Sequence, residues 1–400
     1  MNALVLGANG VSGRAASALL AARGVEVRAL DGDDAIPDGA FDFAVVSPGV
    51  PLSHPWIAAC RARKIPLRSE LQLGCETLRA AGVKLLAVTG SKGKSSVVKV
   101  VADALNLAGR RAVSCGNYGK PVCEVALENA CDWAVVEVSS FMMETTFLPG
   151  TTFTAAAILN LQEDHLDRHG DVETYHRLKR LLLTMTPAGY DFSNAAADGA
   201  VGCIRRLLNR FFRRTDASVL RGSYFDNDVL RSNGLAAAQL MYESGVPYRT
   251  IRRAFREFVP LPHRMNLVAE IGGVRYIDDS KATSLAALAA GVRMASNRGG
   301  KVFLIAGGQA KGDDPKSVIP ILTERVKKVY IIGQCAEVFF AAWKSAVDCE
   351  ILGTMERAME AVKREVEPGA TVLLSPGTAS YDQFKSFGER GEVFARLVKQ

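Results

Sequence analysis

The sequence has 400 residues, more than the roughly 100–200 residues of one ordinary domain, and this length predicts two to four domains. With 48% hydrophobic and 23% charged residues, the composition is that of a globular protein and excludes a largely disordered or collagen-like chain. No apolar run approaches the roughly 18 residues of a membrane span, so we expect no stable membrane insertion. The net charge of +7 is mild and suits small anionic partners, and we expect no nucleic-acid binding.

The first residues and the cysteines indicate the compartment. The N-terminal run MNALVLGANG has no basic segment before it and is broken by glycine, so we expect a buried strand there and not a signal peptide. Eight cysteines are spread singly, without a C-x-x-C pair. This spacing argues against a zinc ribbon or a disulfide framework and favours a reducing, cytoplasmic environment.

Short apolar runs alternate with helical stretches along the chain, a pattern that predicts parallel sheets with helices on both faces. The predicted strands are Ala3–Leu6, Val25–Leu30, Phe43–Val46, Lys84–Thr89, Trp133–Val138, Ala155–Leu159, Lys301–Ile305, Lys328–Ile332 and Thr371–Leu374. We expect an α/β protein with three sheets and three domains, which span residues 1–82, 83–260 and 261–400.

A first glycine-rich turn, Gly7–Gly13, follows the first predicted strand and opens a helix. Glycines let the backbone approach a diphosphate, whose charge the helix N-terminus stabilises. Asp31 ends the second predicted strand, where an acidic side chain commonly meets a ribose. The glycine spacing is not G-x-G-x-x-G, so a nicotinamide dinucleotide, another nucleotide and a purely structural turn all remain open.

A second turn, Gly90–Ser96, lies between an apolar strand and a helix predicted to begin near Val97. It has the short phosphate-loop form T-G-x-x-G-K-S. In such a loop the backbone N–H groups surround phosphate oxygens, the lysine (Lys94) reaches the terminal phosphates, and the hydroxyl of Ser95 can bind Mg²⁺.

Two neighbouring predicted strands end in polar residues that suit a metal. Glu137 lies within an apolar strand, where a charge is costly unless a cation meets it. The next strand ends at Asn160 and leads into a loop with His165. Because Mg²⁺ prefers hard oxygen ligands, Glu137 fits a metal site, with a buried salt bridge as the alternative. His165 alone would be an ordinary loop histidine, but its place after a strand that neighbours Glu137 favours a functional role.

Six segments, in this order along the chain, resemble those of the Mur ligases. They are Thr89–Ser96, Cys115–Pro121, Val135–Phe141, Ile158–His169, Leu261–Met265 and Asp278–Ser284. Three others, Val45–Pro55, Arg68–Leu73 and Leu373–Leu397, resemble the members of that family that add D-glutamate. The resemblance covers nearly the whole chain except about residues 183–228.

The resemblance implies an N-terminal Rossmann-like domain for a UDP-sugar, a central P-loop ATPase with a mostly parallel sheet, and a C-terminal Rossmann-like domain that admits the amino acid. It also implies an ATP-dependent ligase of peptidoglycan synthesis that adds D-glutamate to UDP-N-acetylmuramoyl-L-alanine through an acyl phosphate, with two Mg²⁺ ions as cofactors. We expect a monomer. A nicotinamide oxidoreductase becomes the weakest alternative, behind a ligase for another amino acid and a degenerate nucleotide-binding scaffold.

The resemblance also assigns roles to individual residues. Catalysis would depend on Lys94, Glu137, His165 and Lys179, and metal binding on Ser95, Glu137, His165 and a carbamylated Lys179. ATP would contact Gly90, Ser91, Lys92, Gly93, Lys94, Ser95, Ser96, Asn233, Arg264 and Asp279. The UDP-sugar would contact Val11, Ser12, Asp31 and Asn117, and D-glutamate would contact Thr283, Lys311, Ser380, Tyr381 and Phe387.

The chain departs from the family pattern at three places. Val229 and Leu230 stand where the family has a His-Asn pair, although Asn233 persists. Ser284 replaces an asparagine, and the segment before Asn233 is shorter than usual. Within that segment, arginines interleave with apolar residues over 203–214, and we interpret this as a helix packed on its apolar side, with membrane contact as the alternative.

Overall fold

The computed structural model describes residues 1–32, 34–193, 217–296, 301–310 and 312–400. Its strands are β1 (Asn2–Leu6), β2 (Glu26–Leu30), β3 (Phe43–Val46), β4 (Leu67–Ser69), β5 (Lys84–Thr89), β6 (Ala112–Gly116), β7 (Trp133–Glu137), β8 (Ala155–Ile158), β9 (Gly189–Asp191), β10 (Asn266–Ile271), β11 (Val274–Asp278), β12 (Val302–Gly307), β13 (Val326–Ile332), β14 (Asp348–Gly353) and β15 (Thr371–Leu374). All nine predicted strands are present, with ends within two residues of the prediction.

The helices follow the strands in alternation. They are α1 (Val11–Ala22), α2 (Pro55–Ala62), α3 (Glu70–Ala80), α4 (Lys94–Leu107), α5 (Val122–Glu128), α6 (Ser140–Met143), α7 (Leu166–His169), α8 (Val172–Arg180), α9 (Arg231–Glu243), α10 (Tyr248–Glu257), α11 (Leu285–Ser296), α12 (Ile319–Arg325), α13 (Ala336–Trp343), α14 (Met355–Glu365) and α15 (Phe387–Lys399). None of the helices in the described ranges combines the length and apolarity needed to cross a membrane.

The strands form three sheets, so the predicted α/β class is confirmed. Their orders are β2-β1-β3-β4, β6-β7-β5-β8-β9 and β10-β11-β15-β12-β13-β14. The first two sheets are parallel throughout. The third is parallel except for its edge hairpin, in which β10 and β11 pair antiparallel.

The chain divides into two compact units, Met1–Phe258 and Val259–Gln400. The first contains the first two sheets and the second contains the third sheet. In the central sheet of the first unit, β5 lies between β7 and β8. After β5 the chain continues to β6 and β7 on one side of it and then crosses to β8 and β9 on the other side. Such a change of direction creates a crevice at the carboxyl ends of the strands, where α/β proteins bind ligands.

Helix α3 joins the two sheets of the first unit. It packs so tightly on the start of α5 that a Cβ on Gly74 would lie 2.7 Å from the Val122 carbonyl carbon. The Glu70 carboxylate accepts a hydrogen bond from the Cys123 N–H (2.6 Å), and its other oxygen, Oε2, is buried and finds no hydrogen-bond partner among the residues that the structure describes. Burial raises the pKa of Glu70 to about 7, against the opposing effect of the Cys123 and Val122 hydrogen bonds.

We predict that Glu70 makes the protein less stable as the pH rises from about 5 to 7. The folded carboxyl group keeps its proton to a higher pH than the unfolded one, so the folded state binds more protons in that window and stability falls as they are lost. In Glu70→Gln this loss disappears. The unfolding free energy of the wild type should therefore fall by about 1–3 kcal/mol more than that of the variant between pH 5 and pH 8. Urea denaturation at the two pH values measures both.

The control is Glu76→Gln, on the same helix at a side chain that is 35% exposed, which should leave the pH dependence nearly unchanged. A Glu70→Gln variant whose difference from the wild type is the same at both pH values would contradict the prediction.

Candidate functional site

The loop Gly90–Ser96 connects the middle strand β5 to helix α4. Gly90 (φ +151°) and Gly93 (φ +86°) have positive φ angles, and a Cβ on Gly93 would collide with the Asn233 side-chain amide. The helix begins at Lys94 and not near Val97 as predicted, because the left-handed Gly93 already turns the chain into it. The N–H groups at the start of a helix have no carbonyl partner one turn before them within the helix, so this helix start suits an anion.

Asn160 holds this loop from the neighbouring strand. Its Oδ1 accepts from the Lys92 N–H (2.8 Å) and its Nδ2 donates to the Lys92 carbonyl (2.9 Å). Nδ2 also lies 3.4 Å from Oδ1 of Asn233, which is 6% exposed. Asn233, the predicted ATP contact, therefore packs against the loop. Lys94 Nζ donates to the carbonyls of Gly90 (2.9 Å) and Ser91 (3.2 Å).

Glu137 ends β7 directly beside the loop, because it pairs in register with Val88 of β5. Its side chain is 2% exposed. Oε1 accepts from Asn117 Nδ2 (2.7 Å), whereas Oε2 is buried and has no hydrogen-bond partner within the described ranges. A bare, buried carboxylate oxygen is costly unless a cation meets it.

The residues present fit a magnesium ion. In the described ranges, no three His, Cys, Asp or Glu side chains cluster closely enough to hold a metal by themselves. Mg²⁺ does not need such a cluster, since it is usually bound by one or two carboxylates together with phosphate oxygens and water. Glu137 Oε2 and the half-buried Ser95 would be its protein ligands.

Lys179, on α8, is buried behind the loop. It is 2% exposed, and its Nζ donates to the Gly90 carbonyl (2.9 Å) and lies 4.6 Å from the ring centre of Tyr175. The Tyr175 hydroxyl lies 3.1 Å from Ser91 Oγ. Burial, aided by the charge of Lys94, lowers the pKa of Lys179 to about 7. An amine with this pKa is largely neutral at physiological pH, as reaction with carbon dioxide requires.

His165 lies on the turn that follows the loop after β8. It adopts a left-handed conformation (φ +55°) immediately before α7. Its side chain is 47% exposed and packs edge-on against Phe141, with ring centres 4.9 Å apart. The imidazole is thus accessible to a ligand.

A cavity of about 690 Å³ adjoins this site within the first unit. All four predicted UDP-sugar contacts, Val11, Ser12, Asp31 and Asn117, line it. The Asp31 carboxylate also fastens the first glycine turn, since it accepts hydrogen bonds from the N–H groups of Asn9 (2.5 Å) and Gly32 (2.8 Å). Asn117 both lines the cavity and donates to Glu137.

The other predicted contacts belong to the second unit. Asp279 and Ser380 are buried, Arg264, Thr283 and Phe387 are half-buried, Tyr381 is exposed, and Lys311 lies outside the described residues. Asp279 accepts a hydrogen bond from Ser375 Oγ (2.9 Å), and burial raises its pKa to about 7. Lys281 Nζ lies 3.9 Å from the ring centre of Phe387.

Sequence reasoning missed Arg390, a fully buried arginine of α15 that organises this part of the second unit. Its guanidinium donates to the Ser280 hydroxyl (3.0 Å) and to the carbonyls of Ser280, Thr378 and Ala379 (2.9–3.2 Å). It thereby joins the segment that contains Thr283 to the one that contains Ser380. An arginine among the apolar positions of a helix was the available signal.

The departures from the family pattern have structural counterparts. Leu230 precedes α9, and the side chain of Asn227 accepts from the N–H groups of Val229 (3.1 Å) and Leu230 (2.9 Å), so the helix start is held without the missing His-Asn pair. The amphipathic stretch 203–214 lies outside the described residues.

Comparison with known families gives two matches. Residues 88–214 match the Mur ligase middle domain, and residues 263–377 match the Mur ligase glutamate ligase domain. The relatives include the UDP-N-acetylmuramoylalanine–D-glutamate ligase of Acidobacterium capsulatum, 35% identical over 89% of this chain and 82% of the relative. The enzyme of the same name from Nitratidesulfovibrio vulgaris strain DP4 is 35% identical over 99% of this chain and 96% of the relative.

Solved structures share the fold. The UDP-N-acetylmuramate-alanine ligase MurC of Thermotoga maritima has a TM-score of 0.60 at 15% identity, covering 100% of this chain and 99% of that one. The folylpolyglutamate synthase/dihydrofolate synthase of Yersinia pestis, complexed with AMPPNP and a Mn ion, has a TM-score of 0.57 at 17% identity, covering 88% and 99%. The two matched domains, together with 35% identity to these relatives over 89–99% of the chain, show that this chain belongs to the Mur ligase family.

Proposed function

We propose that the chain is an ATP-dependent ligase that adds D-glutamate to UDP-N-acetylmuramoyl-L-alanine, a step of peptidoglycan precursor synthesis. The name shared by the curated relatives supports the choice of substrates. The observation that carries the proposal is Asn117, which lines the cavity and donates to Glu137 (2.7 Å) beside the phosphate loop. A sugar nucleotide in the cavity would thus lie next to the triphosphate that activates it.

The reaction needs activation because a carboxylate is a poor electrophile. Its oxygen attacks the γ-phosphorus of ATP, the bond to the β-phosphate oxygen breaks, and an acyl phosphate and ADP result. The D-glutamate amine then attacks the acyl carbon, loses a proton and expels inorganic phosphate. Negative charge on the transferring phosphoryl group must be stabilised throughout.

The phosphate loop is suited to this stabilisation. The N–H groups of Gly90–Ser96 would bind phosphate oxygens, and Lys94 would turn from the loop carbonyls to the terminal phosphates. Ser95 and Glu137 would hold Mg²⁺, which neutralises phosphate charge when bound. His165 and a carbamylated Lys179 would hold a second ion. The lysine nitrogen attacks carbon dioxide and loses a proton, which replaces a cation by an anionic oxygen ligand.

The second unit would contribute the amino-acid site and further nucleotide contacts. We assign D-glutamate to Thr283, Lys311, Ser380, Tyr381 and Phe387, and ATP contacts to Asn233, Arg264 and Asp279 in addition to the loop. The three separate sheets support the division into domains at 1–82, 83–260 and 261–400, and the compact-unit boundary after Phe258 lies close to the second division.

The enzyme would act as a monomer in the cytoplasm. The requirement for ATP supports this location. The seven cysteines in the described ranges are free thiols, as expected in a reducing compartment.

The proposal is tested by ADP release and amide product with UDP-N-acetylmuramoyl-L-alanine and, in turn, D-glutamate, L-alanine, L-lysine or diaminopimelate. We expect turnover with D-glutamate only. Glu137→Gln keeps an acceptor for Asn117 but loses the metal-binding charge, so turnover should fall about 10²–10³-fold. The exposed Glu128→Gln is the control and should be unaffected. Product with another amino acid, ATP binding without any amide product, or full activity of Glu137→Gln would refute the proposal.

A second prediction concerns the two hydrogen bonds by which Asn160 holds the loop. Asn160→Ala should weaken ATP binding by about 1–3 kcal/mol, or roughly 5–150-fold in Kd, because the loop loses its preorganised shape. Isothermal titration calorimetry with Mg-ATP measures this.

Asn106 offers a matched control, since it makes the same pair of bonds to the backbone of Ala112 (2.9 and 3.0 Å) away from the loop. Asn106→Ala should lower stability to a similar degree and leave the Kd for ATP unchanged. Equal effects of the two variants on ATP affinity would show that Asn160 acts only through stability.

A further inference from the structure

One wall of the cavity accepts two hydrogen bonds from Arg168, a residue of the short helix α7. The segment Pro48–Val50, after β3, lines the cavity. The carbonyls of Pro48 (3.2 Å) and Val50 (2.9 Å) both accept from the same terminal guanidinium nitrogen, Nη2, of Arg168 on α7. Arg168 thus crosses from the helix after His165 to the wall of the cavity.

Arg168 is itself fixed by a forked ion pair with Glu144. Nε of Arg168 donates to Oε1 of Glu144 (3.0 Å), and Nη2 donates to Oε2 (2.7 Å). The side chain of Arg168 is 14% exposed and that of Glu144 is 6% exposed. The guanidinium also lies 4.9 Å from the ring centre of Phe141. A bidentate pair of this kind defines orientation as well as distance, and lysine cannot reproduce its geometry.

The pair continues toward the proposed metal site through His169. Nδ1 of His169 lies 3.4 Å from Glu144 Oε1, and its Nε2 lies 3.0 Å from Ser140 Oγ. Ser140 begins the helix α6, three residues after Glu137. The network therefore contacts the segments that follow two proposed metal ligands, Glu137 and His165, and the wall of the cavity.

We propose that Arg168 and Glu144 are positioning residues that set the place of the bound sugar nucleotide relative to the phosphate loop. This inference rests on the proposed function. The fork occupies both carboxylate oxygens, while the same guanidinium holds two carbonyls of the cavity wall. In-line attack on phosphorus is sensitive to displacements of about 1 Å. Loosening the Arg168–Glu144 pair would therefore slow the reaction, although neither side chain contacts a reacting atom.

The test is Arg168→Lys, which retains the charge beside Glu144 but not the fork. We expect the KM for UDP-N-acetylmuramoyl-L-alanine to rise about tenfold and kcat to fall about tenfold, while the Kd for Mg-ATP stays within twofold of the wild type. Arg111→Lys is the matched control, because Arg111 makes the same forked contact with Asp132 at an exposed position, and it should change none of these values.

Arg168→Met combined with Glu144→Met keeps the test informative if the single variant folds poorly, because no buried charge is then left alone. It should show the same split between precursor and ATP parameters. Unchanged KM and kcat in Arg168→Lys, or a parallel loss of ATP affinity in both variants, would overturn the positioning role of Arg168 and Glu144.

Binding of uridine diphosphate alone separates this inference from the proposed function. If the wild type binds UDP but forms no amide, only the proposed function is refuted. The positioning role of Arg168 is then supported if Arg168→Lys raises the Kd for UDP severalfold, and refuted if that Kd is unchanged. A wild type that fails to bind UDP overturns both.

Discussion

The constraint on which the site depends is the buried carboxylate of Glu137, which has one unsatisfied oxygen and lies at the carboxyl end of β7 in the parallel central sheet. Parallel pairing of β5 with β7 and β8 brings the carboxyl ends of three strands together. The phosphate loop, Glu137 and Asn160 follow those ends. Asn117 satisfies only Oε1 of Glu137, and Oε2 is buried without a hydrogen-bond partner among the described residues, so a cation bound at this oxygen would be stabilising.

The neighbouring polar groups act as supports for that edge. Asn160 fastens the loop to the next strand, and Lys179 reaches the Gly90 carbonyl from behind it. Helix α3 packs tightly against the start of α5, and loops from both sheets line the cavity. In the proposed function, the phosphate loop would hold the nucleotide and the cavity would hold the sugar nucleotide, with Asn117 in contact with both regions.

Much of this could be predicted from the sequence. The nine strands found in advance are mostly continuous buried runs, whereas five of the six missed in the described ranges (β4, β6, β9, β10 and β14) are edge strands, half-exposed or only three residues long. Such strands have no distinctive hydrophobic pattern. The phosphate loop and Glu137 were recognisable because a glycine turn and a charge interrupt apolar runs.

The supports were less predictable, because they depend on pairs far apart in sequence. Arg168 meets Val50 across 118 positions and Asn160 meets Asn233 across 73, and no local pattern encodes such contacts. The burial that lowers the pKa of Lys179 and the full burial of Arg390 likewise follow from tertiary packing. Motifs therefore predicted which residues bind and react, while only the structure identified the contacts that surround those residues.

The central claim is that a carboxylate oxygen of the sugar nucleotide attacks the γ-phosphorus of ATP. It is tested most directly by ligation of D-glutamate to UDP-N-acetylmuramoyl-L-alanine labelled with ¹⁸O at both carboxylate oxygens. We predict that one labelled oxygen appears in inorganic phosphate for each amide formed, and that the other remains in the product. Label in AMP, or inorganic phosphate without label, would contradict the account.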